Sequence, residues 1–454
     1  MKQKHLHILA VLVALLLPFN AWADVWQDPA TKVNYEYTPG GKTAKVMAGS
    51  SNTSAGSPDA TGNISIQAKI TVDGNEYAVT AIAGKAFYNN NNITSVTIPE
   101  GITWIGPSAF AGCKQLSNTV LSASVDSLDS SSFFGCESLS SIDIPEGVIY
   151  IGSWAFNSCS SLNNVTLPST LEYISYDSFE KTPWYETRYT AADDGLFYID
   201  GILFGYKGTK PTGTVNIKEG TKVIARLALN QCSDVTEVNF PSSLKSIGAN
   251  AFVNCNITSI TIPASVTYLS CTAFGSSLTS INITDLDAWC KIKFAHSASI
   301  LQVKHFLNGK EITNLVIPES VTEISPYAFS CWKDLKSVMI PATVCVLGQG
   351  AFGGCEELTD ITCGADIGRS AFAGCTALTN VTLLEGVTKI DGFAFSECEN
   401  LTTISVPASL TTVDPNGSGT TFYHCNITNI HVTDLAAWCQ RTYRLTGLWS
   451  SQGP

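Results

Sequence analysis

Cysteine is the residue in this chain whose chemistry asks first for an explanation. There are fifteen in 454 residues. In an exported protein that number would point to disulfides. The spacing points elsewhere. Cys113, Cys136, Cys159, Cys232, Cys255, Cys331, Cys355, Cys375, Cys398 and Cys425 each stand two or three residues after a recurring aromatic or the Leu229 that replaces it. Stacked coils would bring such neighbours to about 5 Å, inside the Cα range of a disulfide, but with parallel Cα–Cβ vectors that disfavour the bond. The pattern predicts a ladder of free, buried thiols packed as small apolar groups. Cys271, Cys290, Cys345, Cys363 and Cys439 lie off the ladder and leave room for an isolated bond. No C-x-x-C pair occurs, so no structural zinc site is expected.

Other chemistry is sparse. Beyond residue 23 the histidines are His296, His305, His424 and His431, and neither H-E-x-x-H nor G-x-S-x-G occurs. His296 and His305 fall in an insertion and are expected at the surface. Asp193-Asp194 before Gly195 reads as a solvated turn rather than a calcium site. The residues therefore predict no catalysis, no cofactor and no metal. The net charge is −12, from 26 basic and 38 acidic residues. That sign excludes a nucleic-acid partner, whose phosphates need Lys and Arg, and electrostatic docking on anionic lipid.

The N-terminus reads as a secretory signal over residues 1–23. Lys2 and Lys4 supply charge, Ile8 to Leu17 an apolar core, and Ala21-Trp22-Ala23 a small-x-small cleavage site. Ten apolar residues are too few to span a bilayer. Cleavage would leave Asp24 first, not Cys, so lipid anchoring there is not expected. Without Lys2 and Lys4 the balance is 24 against 38, a charge of −14. No later stretch is long and apolar enough for a membrane span. The expectation is an exported protein, secreted or at the cell surface, with the periplasm as an alternative.

The elements that position these residues come from repetition. LKSVMIPATVCVLGQGAFGGC from Leu335 recurs as LSSIDIPEGVIYIGSWAFNSC from Leu139 and VTEVNFPSSLKSIGANAFVNC from Val235. The general form is L-x-x-V-x-I-P-x-x-V-x-x-I-G-x-x-A-F-x-x-C. Its aromatic row is Phe87, Phe110, Phe134, Phe156, Phe179, Leu229 in substitution, Phe252, Phe274, Phe329, Phe352, Phe372, Phe395 and Phe422, mostly 22 to 24 residues apart. Self-similarity at this period is the mark of a solenoid. In V-x-I-P the two apolar residues face one side of a strand and their neighbours the other, and Pro ends the strand because it cannot donate to a ladder. V-x-x-I-G carries the chain across the coil, and A-F-x-x-C suggests a short helical or 3₁₀ turn. Residues 24–80 precede the repeat and read as a cap of two hairpins, around Thr38–Gly41 and Asp73–Asn75. The solenoid then occupies 81–454, with insertions near 181–214 and 284–311. The first holds a hairpin around Asp200-Gly201. The second holds DLDAWCKIKF, which returns as DLAAWCQRTY at 434–443.

The residues between Val and Ile point away from the core and form the candidate binding face: Thr97, Asp143, Thr166, Asn239, Thr261, Asn282, Val316, Met339, Thr362, Thr382, Ser405 and His431. A second row, two residues earlier, includes Ser95, Ser141, Asn164, Glu237, Ser259, Ser337 and Asp360. Together they make a broad hydroxyl-and-amide surface. The bland reading is that small polar residues keep an exposed sheet soluble. Val316 and Met339 are adjacent apolar exceptions that could seed a contact patch. Trp104, Trp154 and Trp332 fall at positions outside the predicted core.

The repeated unit resembles that of the BspA-like leucine-rich repeat proteins of bacterial cell surfaces. The resemblance covers nearly all of 80–454, including DLDAWC, FLNGKEITNLVIP from Phe306 and TPWYE from Thr182. Departures are local: Thr182 and Ser277 replace the ladder Cys, and Lys218 and Leu384 stand where Pro is expected. The resemblance implies a leucine-rich-repeat superhelix of short parallel strands, mainly β. It implies an adhesin-like role toward an extracellular protein or glycan. We expect a monomer. The alternative is a structural spacer whose partner site lies in an insertion.

Overall fold

A computed structural model describes residues 23–49, 56–295, 303–345, 347–414 and 420–434. Residues 1–22, the 415–419 loop, His296 and all but the first residue of DLAAWCQRTY lie outside them. The chain divides into two compact units, Met1–Ala191 and Ala192–Pro454.

In the first unit the strands Asn34–Tyr37 and Thr43–Val46 pair antiparallel, as do Lys69–Val72 and Asn75–Ile82. An edge strand, Asp24–Gln27, adds to the first pair. The parallel stack starts earlier than the consensus spacing indicates. Gly62–Ser65 already pairs parallel with Ile93–Thr97, which continues to Asn118–Val120. Ser141–Asp143 and Asn164–Thr166 pair as a separate ribbon. These strands form one face of the coils. The V-x-x-I-G step, expected only to carry the chain across, forms a second parallel ladder of two-residue strands: Trp104–Ile105, Ser127–Leu128, Tyr150–Ile151 and Tyr173–Ile174.

The A-F-x-x-C segment closes the coil in turns rather than an α-helix. The Ala109 and Cys113 N–H groups donate to the Gly106 and Phe110 carbonyls, three residues back, at 3.2 and 3.1 Å. The turn is built from left-handed residues placed two before and two after the aromatic: Ser108 and Gly112 around Phe110, Trp154 and Ser158 around Phe156. This backbone also bonds coil to coil, as in Phe110 N–H to Ser132 O at 2.7 Å and Gly112 N–H to Phe134 O at 2.7 Å.

The rings stack as the spacing predicts, with one correction. Phe87, Phe110, Phe133, Phe156 and Phe179 lie 4.9 to 5.2 Å apart and within 10° of parallel. Phe133, not Phe134, is the core residue. Phe133 is fully buried, whereas Phe134 is exposed. The F-x-x-C interval of three places Phe133 before Cys136. Trp184 covers the last ring, 4.9 Å from Phe179. It is carried by a helix, Pro183–Ala191, that starts with Thr182 accepting the Tyr185 N–H at 3.2 Å and with Pro183 in the first helical position, where its missing donor costs nothing.

The second unit repeats the plan. A hairpin, Gly195–Ile199 with Ile202–Lys207, turns at Asp200-Gly201. The face strands are Gly213–Asn216 with Val235–Asn239, then Ser259–Ile262, Ser280–Ile283 and Lys304–Leu307, then six from Asn314–Val316 to Asn429–Val432. The 284–311 insertion is itself built into the stack. Lys293–Ala295 extends the second ladder beside Tyr268–Ser270, and Lys304–Leu307 extends the face beside Ser280–Ile283. The short helix Leu286–Cys290, capped by Asp285, buries Trp289, whose Nε1 donates to the Ala328 carbonyl at 2.8 Å. His305 is therefore not a surface residue. It is buried in the row of Ile281 and stacks on Trp332 at 3.9 Å. Trp332 is likewise core. It stands three after Phe329, in the ladder position, and Cys331 is displaced to the left-handed position before it.

Candidate functional site

No disulfide joins the described cysteines. Ladder Sγ–H groups donate to the carbonyl of the ring residue one coil earlier, as Cys113 to Phe87 at 3.0 Å, Cys159 to Phe133 at 3.1 Å, Cys255 to Leu229 at 3.2 Å and Cys398 to Phe372 at 3.2 Å. The Phe133, Leu229 and Phe372 carbonyls also accept the Cys N–H of their own coil, and the Phe87 carbonyl the Asn90 N–H, so the thiol fills the second lone pair of a buried acceptor. Burial pushes the Cys113, Cys255 and Cys363 thiols up to about 12. Such groups stay protonated and are poor nucleophiles or metal ligands at neutral pH. Among the described residues no cluster of three or more His, Cys, Asp or Glu could hold a metal ion.

The strand face is where side chains reach solvent. In the first unit Asp143 and Thr166 are partners in register and both exposed. Thr97 pairs with Val120, which is 48% exposed. Val120 escaped the consensus because Thr119 takes the inward position. In the second unit Asn239 pairs with Asn216, and its amide donates to the Asn216 Oδ1 at 2.8 Å. Asn216 has the V-x-I signal, in Val215-Asn216-Ile217, but lies beside an insertion. Thr261, Asn282 and Phe306 form one row, and Asn282 Oδ1 accepts the Gly309 N–H at 2.8 Å. Phe306 was hidden because His305 replaces the inward aliphatic.

The six-stranded sheet carries the longest row. Val316, Met339, Thr362, Thr382, Ser405 and His431 are successive partners. Val316 is 62% and Met339 51% exposed, two neighbouring apolar side chains on a polar face. Ser337, one row over, donates to Asn314 Oδ1 at 2.6 Å, and Asn380 donates to Asp360 Oδ1 at 3.2 Å. Of the three tryptophans expected outside the core, Trp154 is half exposed, Trp104 is half-buried with its Nε1 3.3 Å from Asp129 Oδ2, and Trp332 is buried.

The face is interrupted twice within the second unit, after the Lys304–Glu311 hairpin and, in a way the repeat does not announce, after Val235–Asn239. Val235–Asn239 and Ser259–Ile262 belong to different sheets. Phe240 takes the place that Ile217 and Ile262 hold in the adjacent coils. Its half-buried ring turns an edge toward Phe252 at 5.9 Å and Phe274 at 6.4 Å. A cavity of about 490 Å³ opens there, lined by Glu237, Asn239, Phe240, Ser259, Thr261 and Thr284 among others.

No helix among the described residues is long and apolar enough to cross a membrane. The sequence matches the model of the BspA type leucine rich repeat region over 80–194, 204–305 and 365–439, in six copies. The coordinates are similar to a leucine rich cell surface protein from Faecalibacterium prausnitzii, at 24% identity over 92% of this chain and 97% of that one, TM-score 0.36. They are similar to a leucine-rich repeat protein from Bacteroides ovatus, at 22% identity over 90% and 100%, TM-score 0.35. The pneumococcal vaccine antigen PcpA is similar at 15% identity over 92% and 100%, TM-score 0.30. No curated protein sequence matches. With the family's repeat matched across more than half its length, the chain belongs to the BspA-type leucine-rich repeat family.

Proposed function

We propose that this chain is an exported, non-catalytic binding protein. It engages an extracellular protein or glycan as a monomer, through many weak contacts along the strand face. The observation that carries this is the in-register row from Val316 to His431, which presents an exposed apolar pair at one end of an uncharged hydroxyl surface. Apolar side chains surrounded by polar neighbours are the usual composition of a contact patch. Family membership in surface leucine-rich repeat proteins supports the location and the class.

The test is capture of arrayed matrix proteins and glycans by the mature chain. Met339→Glu together with Thr382→Lys should weaken capture at least tenfold while far-UV CD is unchanged. Unaltered capture overturns the reading.

A second reading, a structural scaffold, is favoured by one observation. Asn239, Ser337 and Asn380 spend hydrogen bonds on the neighbouring rung, as a face built for rigidity would. Its partner site would be the exposed turn of the Lys304–Glu311 hairpin. Deleting the insertion is not a clean test, because Trp289 and His305 are core. Lys310→Glu is the appropriate variant, and loss of capture there with an indifferent strand face would select the scaffold.

A further inference from the structure

We propose that the break between Val235–Asn239 and Ser259–Ile262 is a cleft for one or two sugar units of a neutral glycan. The inference rests on the binding reading above and names its ligand class.

The break is real pairing lost, not a drawing convention. The Asn256 N–H reaches the Val235 carbonyl at 2.9 Å, and there bonding between the two coils on this face stops. It resumes on the second ladder, with Thr267 N–H to Lys245 O at 2.8 Å. The backbone groups a ladder would have used must be satisfied by water or by a ligand. Both rungs remain paired on their far sides, Val235–Asn239 to Gly213–Asn216 and Ser259–Ile262 to Ser280–Ile283, so the opening has firm walls. Its volume of about 490 Å³ falls in the range of roughly 300–1,000 Å³ typical of small-ligand sites.

The lining sets the chemistry. Glu237 and Asn239 offer acceptors. One Glu237 oxygen takes the Thr214 hydroxyl at 2.7 Å, and the Asn239 amide N–H is committed to Asn216 at 2.8 Å, which leaves its carbonyl oxygen as the acceptor. The Ser259 and Thr261 hydroxyls both donate and accept. A dense mix of donors and acceptors beside the half-buried apolar ring of Phe240 suits a ligand ring that carries hydroxyls on its rim and C–H groups on its faces. Anionic ligands are disfavoured, since the only charge in the lining is Glu237 and no Lys or Arg is present. An inserted peptide strand would need the walls two strand spacings apart, about 9.6 Å. Cα atoms of the two strands still approach within 8 Å.

The experiment places the mature full-length chain on an array of neutral hexose and N-acetylhexosamine oligosaccharides, with sialylated and sulfated versions and matrix proteins alongside. Thr261→Lys, which fills the cleft from an exposed position, should reduce neutral-glycan capture more than tenfold. Glu237→Gln should reduce it severalfold. Lys114→Gln, at an exposed position of the first unit outside the strand face, should leave it within twofold. Far-UV CD and the thermal midpoint control for folding. Neutral-glycan capture that survives Thr261→Lys, or that is lost only with Met339→Glu, overturns the cleft and leaves the strand face standing. Preference for the anionic set overturns it equally. Capture of matrix proteins alone, abolished by Met339→Glu, refutes the glycan cleft and supports the broader reading. No capture by the native chain of any probe refutes both.

Discussion

His305 shows how much one side chain can depart from what its position in the chain implies. Sequence places it in an insertion, in the company of surface residues. The fold places it under Trp332, with its ring bonded to the Val303 carbonyl and its Nε2 without a partner among the described residues. Burial holds its pKa down, from 6.5 to about 3. The folded state therefore prefers the neutral ring. That preference is fully present above pH 6.5 and is lost as the pH falls from 6.5 toward 3, because the unfolded chain takes up a proton the folded chain refuses. Between pH 7.5 and 5.5 the native protein should lose on the order of 1 kcal/mol that a His305→Phe variant keeps. Chemical denaturation of both proteins at the two pH values checks this. Equal losses would show that His305 is not the group responsible.

At the scale of the element, the ring ladder is the interior's main support and gives a sharp comparison. Phe133 stacks between Phe110 and Phe156 at 5.1 and 5.2 Å, while its neighbour Phe134 looks outward. Phe133→Ala should cost about 3–5 kcal/mol. Phe134→Ala should fall within about 0.5 kcal/mol of the native protein. Thermal midpoints of the two variants decide, and the reverse order would reject the assignment. Sequence contained the answer in the constant interval F-x-x-C, which selects Phe133 from the pair and also identifies Trp332 as a ladder residue. Taking Phe134, the second of the pair, and Cys331, only two residues after Phe329, as repeat members loses both. The face strands were legible because V-x-I repeats with a period of two. The second ladder was not, because two-residue strands such as Trp104–Ile105 are too short to display any period. The helix at Pro183 was signalled only by Thr182-Pro183, a cap and a first-turn residue without an amphipathic run behind them.

At the scale of the whole molecule, the chemistry is that of an oxidisable interior kept out of reach. The pattern Cys-after-Phe was enough to predict free thiols, and the carbonyl each thiol serves supplies the reason. Denatured without reductant, the protein should titrate close to fifteen thiols. Among the described thiols Cys345, which is exposed, should react first in the native state, ahead of the half-buried Cys331 and Cys425. A titre near one after denaturation would mean that the ladder is bonded in pairs. The candidate surface was partly legible on the same terms. The consensus leaves its outward positions blank, so Thr97, Thr261 or Met339 can be picked out. What it cannot show is the break at Phe240, because a missing ladder is a relation between two coils and leaves no mark in either one alone.

The turns at Phe110, Phe133 and Phe156 hold a further consequence. Most coils reverse the handedness of the backbone at two fixed places, as at Ser131 and Gly135 on either side of Phe133. For an L-residue other than Gly that region costs roughly 1–2 kcal/mol. At those places alone the relaxed building block would be the mirror-image amino acid. A protein made of one chirality has written the other into its repeat, and glycine, which has none, is the letter it uses at Gly112, Gly135, Gly354 and Gly374.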